Sequence, residues 1–315
     1  MKRVAVTSAG SSTAYSFVKF LSTQEEVEVV TMDINPKSLV FASSLSKIHI
    51  VTPLATDVAY EQFILNSMEE HQIDFIVPIH NAEIDKLSLL NDSRILTCVL
   101  DGSVINNKLL CYTECISKEI PVPKTWSKEE AIQLLGQEYL FAKKIKGVGS
   151  IGARKIPHGE VKELSGEFLF QELCTSPEVT VDCIAYREDE EIKVLSICRE
   201  RLEVKAGVCT KAKVYQSDAI NEIATSVARG FEVIGGFCFQ VMKNQSGDFV
   251  VTDFNPRLGG GTALSQSTGA NVYGSFFEAF GVQGFSKSLE SLREYCNKKQ
   301  TFHVTRAYLE SSVEI

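Results

Sequence analysis

The chain has 315 residues, 44% of them apolar and 23% charged, with a formal net charge of −8. That length suits two domains, or one domain with subdomains, and the composition is that of a soluble globular protein. An acidic balance argues against a nucleic-acid partner, which demands a basic footprint, but leaves room for a local basic pocket around a small phosphate ligand.

The first hundred residues alternate between two periodicities. RVAVTSAG reads as a buried strand and turn, and SSTAYSFVKFLST as a helix starting on a hydroxyl cap. VEVVTMDIN and KIHIVTP read as strands, and AYEQFILNSMEEHQ as a helix with an apolar stripe at Phe63, Ile64 and Met68. DFIVPIH is a further strand, AEIDKLSLLND a helix, and ILTCVL the strand expected to close the series. Such alternation predicts a parallel sheet with helices on both faces. Gly10 after the first strand and Asp33 at the end of the second invite a dinucleotide. AGSSTAY, however, lacks the spaced glycines that let a backbone approach a pyrophosphate, so a Rossmann-like unit without its cofactor is favoured. Asn81 and Glu83, just past DFIVPIH, either line a cleft at the carboxyl end of the sheet or start a helix with a favourable acid.

From residue 102 the pattern changes. NNKLLCYTECISKE reads as a helix, IPVPKTW as a segment held extended by two prolines, and SKEEAIQLLGQ as a helix with Ser127 and Glu130 in a capping box. YLFAKKIKGVGSIGARKIP is strand, glycine loop, strand. EFLFQELCTSPEVTVDCIAYREDEEIKVLSICRERLEV is a run of strands with a charged turn at 188–191. AINEIATSVARGFEVI is an amphipathic helix, GFCFQVMKN and DFVVTDFN a hairpin, and the tail from Phe285 is short and mixed. The nine cysteines form no CxxC pair and read as buried thiols of a reducing compartment. The N-terminal apolar run is too short for a secretion signal, and none approaches a membrane span, so a cytoplasmic protein without a membrane partner is expected.

Two segments carry chemistry. In VVTDFNPRLGGG, Asp253, Asn255 and Arg257 are spaced two apart, so a strand would project all three toward one cleft. A carboxylate and an amide oxygen suit Mg2+, with Mn2+ an alternative, and an arginine supplies a fork for phosphate oxygens. Gly259, Gly260 and Gly261 would let the backbone come close to a ligand. The second segment, KKIKGVGSIGARK, places Gly147, Gly149, Ser150 and Gly152 between two strands, with Lys143 just before them. Exposed loop amides form an anion-binding concavity, although a hairpin with a basic rim explains the same text.

Together with the QE pair Gln171–Glu172 and the acid Glu178, in this order and spacing, these segments resemble the ATP-grasp superfamily, most closely the carbamoyl-phosphate synthase large-chain-like ligases. The resemblance covers nearly the whole chain. It implies a Rossmann-like domain over 1–105, a small ATP-grasp lobe over 106–165 and a large lobe over 166–315. It also implies an enzyme that activates a small carboxylate with ATP as an acyl-phosphate and transfers it to an amine. Lys108 and Lys143 would contact phosphates under the glycine loop, Glu172 and Leu173 would hold the adenine edge, and Glu178 the ribose. Gln240, Asp253 and Asn255 would face the metal, and Arg257 the γ-phosphate or the acyl-phosphate. The resemblance admits carboxyphosphate chemistry, a nucleotide-binding regulator, and a homodimer. Aspartate stands at 253 where the family usually has glutamate. Arg199 or Arg201 would meet a substrate carboxylate, or else pair with Glu200 and Glu203 on a surface strand.

Overall fold

The computed structural model describes residues 1–146, 152–205 and 207–307. The chain opens with β1 (Lys2–Val6), α1 (Ser12–Leu21), β2 (Val27–Asp33), β3 (Ile48–Val51), α2 (Tyr60–Glu70), β4 (Phe75–Val77) and α3 (Asn81–Leu87). The strands lie in the order β3-β2-β1-β4, all parallel. Val4, Ala5 and Val6 are wholly buried, as expected for a strand covered on both faces. Ser11 caps α1 by accepting a hydrogen bond from the Ala14 amide.

ILTCVL is not a strand. Ile95 makes one bridge to Ile76, and the segment then leaves the sheet edge. Leu96 is buried beside the β1 and α1 core, whereas Cys98 and Val99 enter a second core. The Cys98 carbonyl accepts from the Ile234 amide, so apolar residues that look like strand instead tie two bodies together.

The stretch read as one helix is two, α4 (Gly102–Asn106) and α5 (Lys108–Ser117). Asn107 divides them because its extended backbone and side chain cap α5. Next come β5 (Thr125–Trp126), α6 (Lys128–Gln133), β6 (Tyr139–Lys144), β7 (Arg154–Pro157) and β8 (Phe168–Gln171). These strands form an antiparallel sheet, β5-β8-β6-β7, around Leu140, Ala142, Ile156 and Phe170. The Ser127–Glu130 capping box is present at α6.

The remaining elements are β9 (Thr175–Glu188), β10 (Glu191–Lys205), β11 (Val208–Tyr215), α7 (Asp218–Gly230), β12 (Gly235–Lys243), β13 (Phe249–Asn255), α8 (Thr262–Gln266), α9 (Val272–Ala279), α10 (Ser288–Asn297) and β14 (Phe302–Thr305). They build an antiparallel sheet of order β13-β12-β9-β10-β11-β14. Asp189 and Glu190, both at positive φ, make the tight turn of the β9–β10 hairpin. Phe17 of α1 packs on Tyr273 and Phe276 of α9, with ring centroids 4.6 and 5.2 Å apart, so the parallel unit and the large sheet share one core. All nine cysteines are free. Among the described residues, no helix is long and apolar enough to cross a membrane.

Candidate active site

Strand β13 alternates as its sequence predicts. Thr252 and Phe254 are buried, whereas Asp253, Asn255 and, past the strand, Arg257 are half-buried, and all five border a cavity of about 370 Å³. Gln240 lies directly across from Asp253 on β12 and lines the same cavity. The Asn255 side-chain amide donates to Asp253 Oδ2 at 2.9 Å, which fixes both groups side by side. This trio offers hard oxygen donors but a single carboxylate, which fits a Mg2+ ion that shares its shell with nucleotide phosphates. A self-sufficient metal cage is a poorer match: among the described residues, no three His, Cys, Asp or Glu side chains cluster to hold an ion.

Lys143 enters from the small sheet. It is 9% exposed, and its Nζ donates to the Thr252 carbonyl at 2.6 Å and to the Tyr112 hydroxyl at 3.3 Å. Burial pushes the ammonium down to about 8, against the opposing pull of Asp253, while nearby Lys108 lowers it further. Both lysines line the cavity with Asp253 opposite. Tyr112 itself donates to the Thr252 carbonyl.

Residues 105–261 match the family model of the ATP-grasp domain. The chain has an ATP-grasp fold. N5-carboxyaminoimidazole ribonucleotide synthetase from Thermotoga maritima superposes with a TM-score of 0.66 at 17% identity, over 90% of this chain and 76% of that one. The Hydrogenobacter thermophilus 2-oxoglutarate carboxylase biotin carboxylase domain, a dimer in complex with MgADP and bicarbonate, gives 0.71 at 11% identity, over 89% and 69%. Biotin carboxylase from Campylobacter jejuni gives 0.67 at 13% identity, over 89% and 70%. No curated protein matches the chain.

Within this ATP-grasp fold, Gln171, Glu172 and Cys174 line the same cavity, with Leu173 between them. Glu172 is anchored to the residue just ahead of β5: its amide donates to the Lys124 carbonyl at 3.0 Å, and its carboxylate accepts from the Lys124 amide at 2.9 Å. Glu178 lines the cavity too, already paired with Arg201. Ala153 lines it next to Gly152, whose φ of +81° suits glycine. Gly147, Gly149 and Ser150 lie outside the described residues.

Two expectations change. The glycines after Arg257 meet protein rather than a ligand. A Cβ on Gly261 would lie 2.1 Å from Arg199 Nη1, and one on Gly260 would lie 3.2 Å from the Ser12 and Thr13 hydroxyls. Arg199 does not pair with Glu200 or Glu203; it is 2% exposed and bound to Asp182 at 3.2 Å, so alternation along β10 turns it inward. Asp33 accepts from the Gly10 amide at 2.7 Å and from the backbone and side-chain amides of Asn35.

The alternatives for Asn81 and Glu83 divide between the two residues. Asn81 lines the cavity, and its Oδ1 accepts from Arg257 Nε at 2.8 Å. Glu83 is a buried first-turn acid that accepts from Thr7, Ser8 and the Ile79 and His80 amides. Sequence reading missed Tyr112, whereas Arg201, expected to meet a substrate carboxylate or to pair with Glu200 and Glu203, is bound to Glu178 rather than to either of those acids. Tyr112 was discoverable from its place one helical turn after Lys108 on α5.

Proposed function

We propose that the protein is an ATP-dependent carboxylate–amine ligase. The observation that carries this reading is the convergence of Lys108, Lys143 and Arg257 with Gln240, Asp253 and Asn255 in one cavity. Three cations face one carboxylate–amide cluster, an arrangement suited to a polyphosphate and its counter-ion. By similarity to ATP-grasp ligases, the adenine edge would lie along Glu172 and Leu173 and the ribose beside Glu178, with Arg201 sharing that acid.

A carboxylate oxygen of the substrate attacks the γ-phosphorus, and the bond to the β-bridging oxygen breaks with release of ADP. Lys143 and Arg257 neutralise charge gathering on the transferred group, and Asn81 holds the Arg257 guanidinium by its Nε. Mg2+ held by Asp253, Asn255 and Gln240 would supply further charge neutralisation. The acyl-phosphate then accepts the amine nitrogen at its carbonyl carbon, phosphate leaves, and the amine gives up a proton. The three-lobe division at 105 and 165, a cytoplasmic location and a homodimer belong to the same reading.

One observation favours a second reading within this chemistry. The Hydrogenobacter neighbour is a bicarbonate complex, so bicarbonate is a candidate carboxylate, with carboxyphosphate as the intermediate. Calorimetric titration of magnesium-ATP into the wild type and Lys143→Ala tests the site. Micromolar binding lost in the variant supports it, and no binding to folded wild type sinks it. ADP release stimulated by bicarbonate alone would select the second reading.

A further inference from the structure

A second cavity, about 630 Å³, lies on the other side of the turn that carries Arg257. It runs along α1, past Ser12, Tyr15, Ser16 and Lys19, which recur at helical spacing on one face. The segment 257–263 is the partition between the two cavities. Arg257 lines the nucleotide cavity, Gly260 packs against Ser12 and Thr13, and Ala263 lines the second cavity.

The lining has a definite chemistry. Tyr15 and Phe41 stack obliquely, with centroids 5.1 Å apart, and Phe41 stays 38% exposed over the opening. Aromatic surface beside a cavity offers contact area to an apolar guest. The buried Tyr273 hydroxyl, beside Ser16, has no well-formed hydrogen bond and adds a polar anchor in want of a partner. Arg306, delivered by β14, donates to the Gly260 carbonyl, which sets its guanidinium at the partition. Lys19 is the other cation, and no acid is present among the described lining residues.

We propose that this cavity is a binding site for an organic carboxylate with an aromatic or branched alkyl body, its carboxylate on Arg306 and its body against Tyr15 and Phe41. The site lies across the 257–263 partition from the nucleotide cavity and rests on its own lining, independently of the ligase reading.

Ligand-observed NMR titration of the full chain with 3-phenylpropionate and, separately, 2-phenylethylammonium tests it, with magnesium-ATP binding measured on the same samples. The carboxylate binds, and the cation of the same shape binds at least tenfold more weakly, because two cations repel it. Arg306→Gln weakens the carboxylate about tenfold, the scale of one charge-assisted hydrogen bond. Ala263→Phe fills the cavity and abolishes binding, whereas Lys19→Glu, at an exposed position, keeps the fold and still weakens it. Magnesium-ATP affinity is unchanged in all three. Equal binding of the two probes, or carboxylate binding untouched by Ala263→Phe, overturns the proposal while leaving the ligase reading standing. Carboxylate binding without any magnesium-ATP binding removes the ligase reading but retains the site.

Discussion

Arg257 Nε donates to Asn81 Oδ1 at 2.8 Å, across 176 positions of sequence. The bond joins the first turn of α3, in the parallel unit, to the end of β13 in the large sheet. Asn81 is held in turn, its amide donating to Asn106 Oδ1 at 2.6 Å. A guanidinium braced in this way presents its remaining N–H groups in a fixed direction, as transition-state stabilisation requires.

Asn81→Ala therefore lowers turnover more than it weakens nucleotide binding. The expected loss is about tenfold in ADP release, the scale of one hydrogen bond to a charged group, with the ATP KM changed less than threefold. Steady-state kinetics check this. A rise in KM with turnover intact would show that Arg257 acts in binding alone.

The lysine at the cavity floor makes ATP affinity depend on pH. Lys143 titrates at about 8 in the free protein, lowered by burial. Phosphate oxygens favour its charged form, so affinity is nearly constant at pH 6–7 and falls by up to about tenfold per unit above 8. Free-protein stability moves oppositely: between 8 and the ordinary lysine value the unfolded chain binds more protons, so this group's contribution rises with pH. Calorimetric titrations from pH 6 to 9.5 measure the first effect, and Lys143→Arg should flatten it.

Asp253 is the one carboxylate of the Gln240, Asp253 and Asn255 set. Asp253→Asn should raise the Mg2+ concentration needed for half-maximal ATP binding by about tenfold, since ligand charge sets the affinity of hard-cation sites. Metal titration at fixed ATP reads this directly, and an unchanged midpoint would place the ion elsewhere.

The Arg199–Asp182 pair predicts a stability effect instead. Asp182 accepts from Thr262 at 2.7 Å and Ser265 at 2.6 Å as well as from the arginine, and it is 1% exposed. Asp182→Ala leaves a buried guanidinium without its counter-charge and should cost about 3–5 kcal/mol in urea denaturation. A loss below 1 kcal/mol would mean that water reaches Arg199.

The site was legible where local periodicity dictated it. Two-residue alternation sufficed to bring Asp253, Asn255 and Arg257 to one cavity, and serine hydroxyl caps marked where α1 and α6 begin. What escaped notice depends on long-range partners. Nothing near Asn81 in sequence announces Arg257. The inward turn of Arg199 is set by Asp182 on the neighbouring strand, and the glycines at 260 and 261 answer to α1 and Arg199 rather than to a ligand. ILTCVL misleads because burial between two cores asks for the same residues as burial in a sheet. The shared partner of Lys143 and Tyr112, a backbone carbonyl, carries no side-chain signature at all.

That carbonyl gives the site a preference of its own. The Lys143 ammonium is engaged by the main chain at Thr252, so any entrant is judged by exchange rather than by simple addition. A nucleoside, with nothing anionic to offer, has no means of drawing the lysine away. A polyphosphate replaces one neutral oxygen with several charged ones. Discrimination between ATP and adenosine would thus begin in the fold itself, in the grip of one strand's backbone on another strand's side chain.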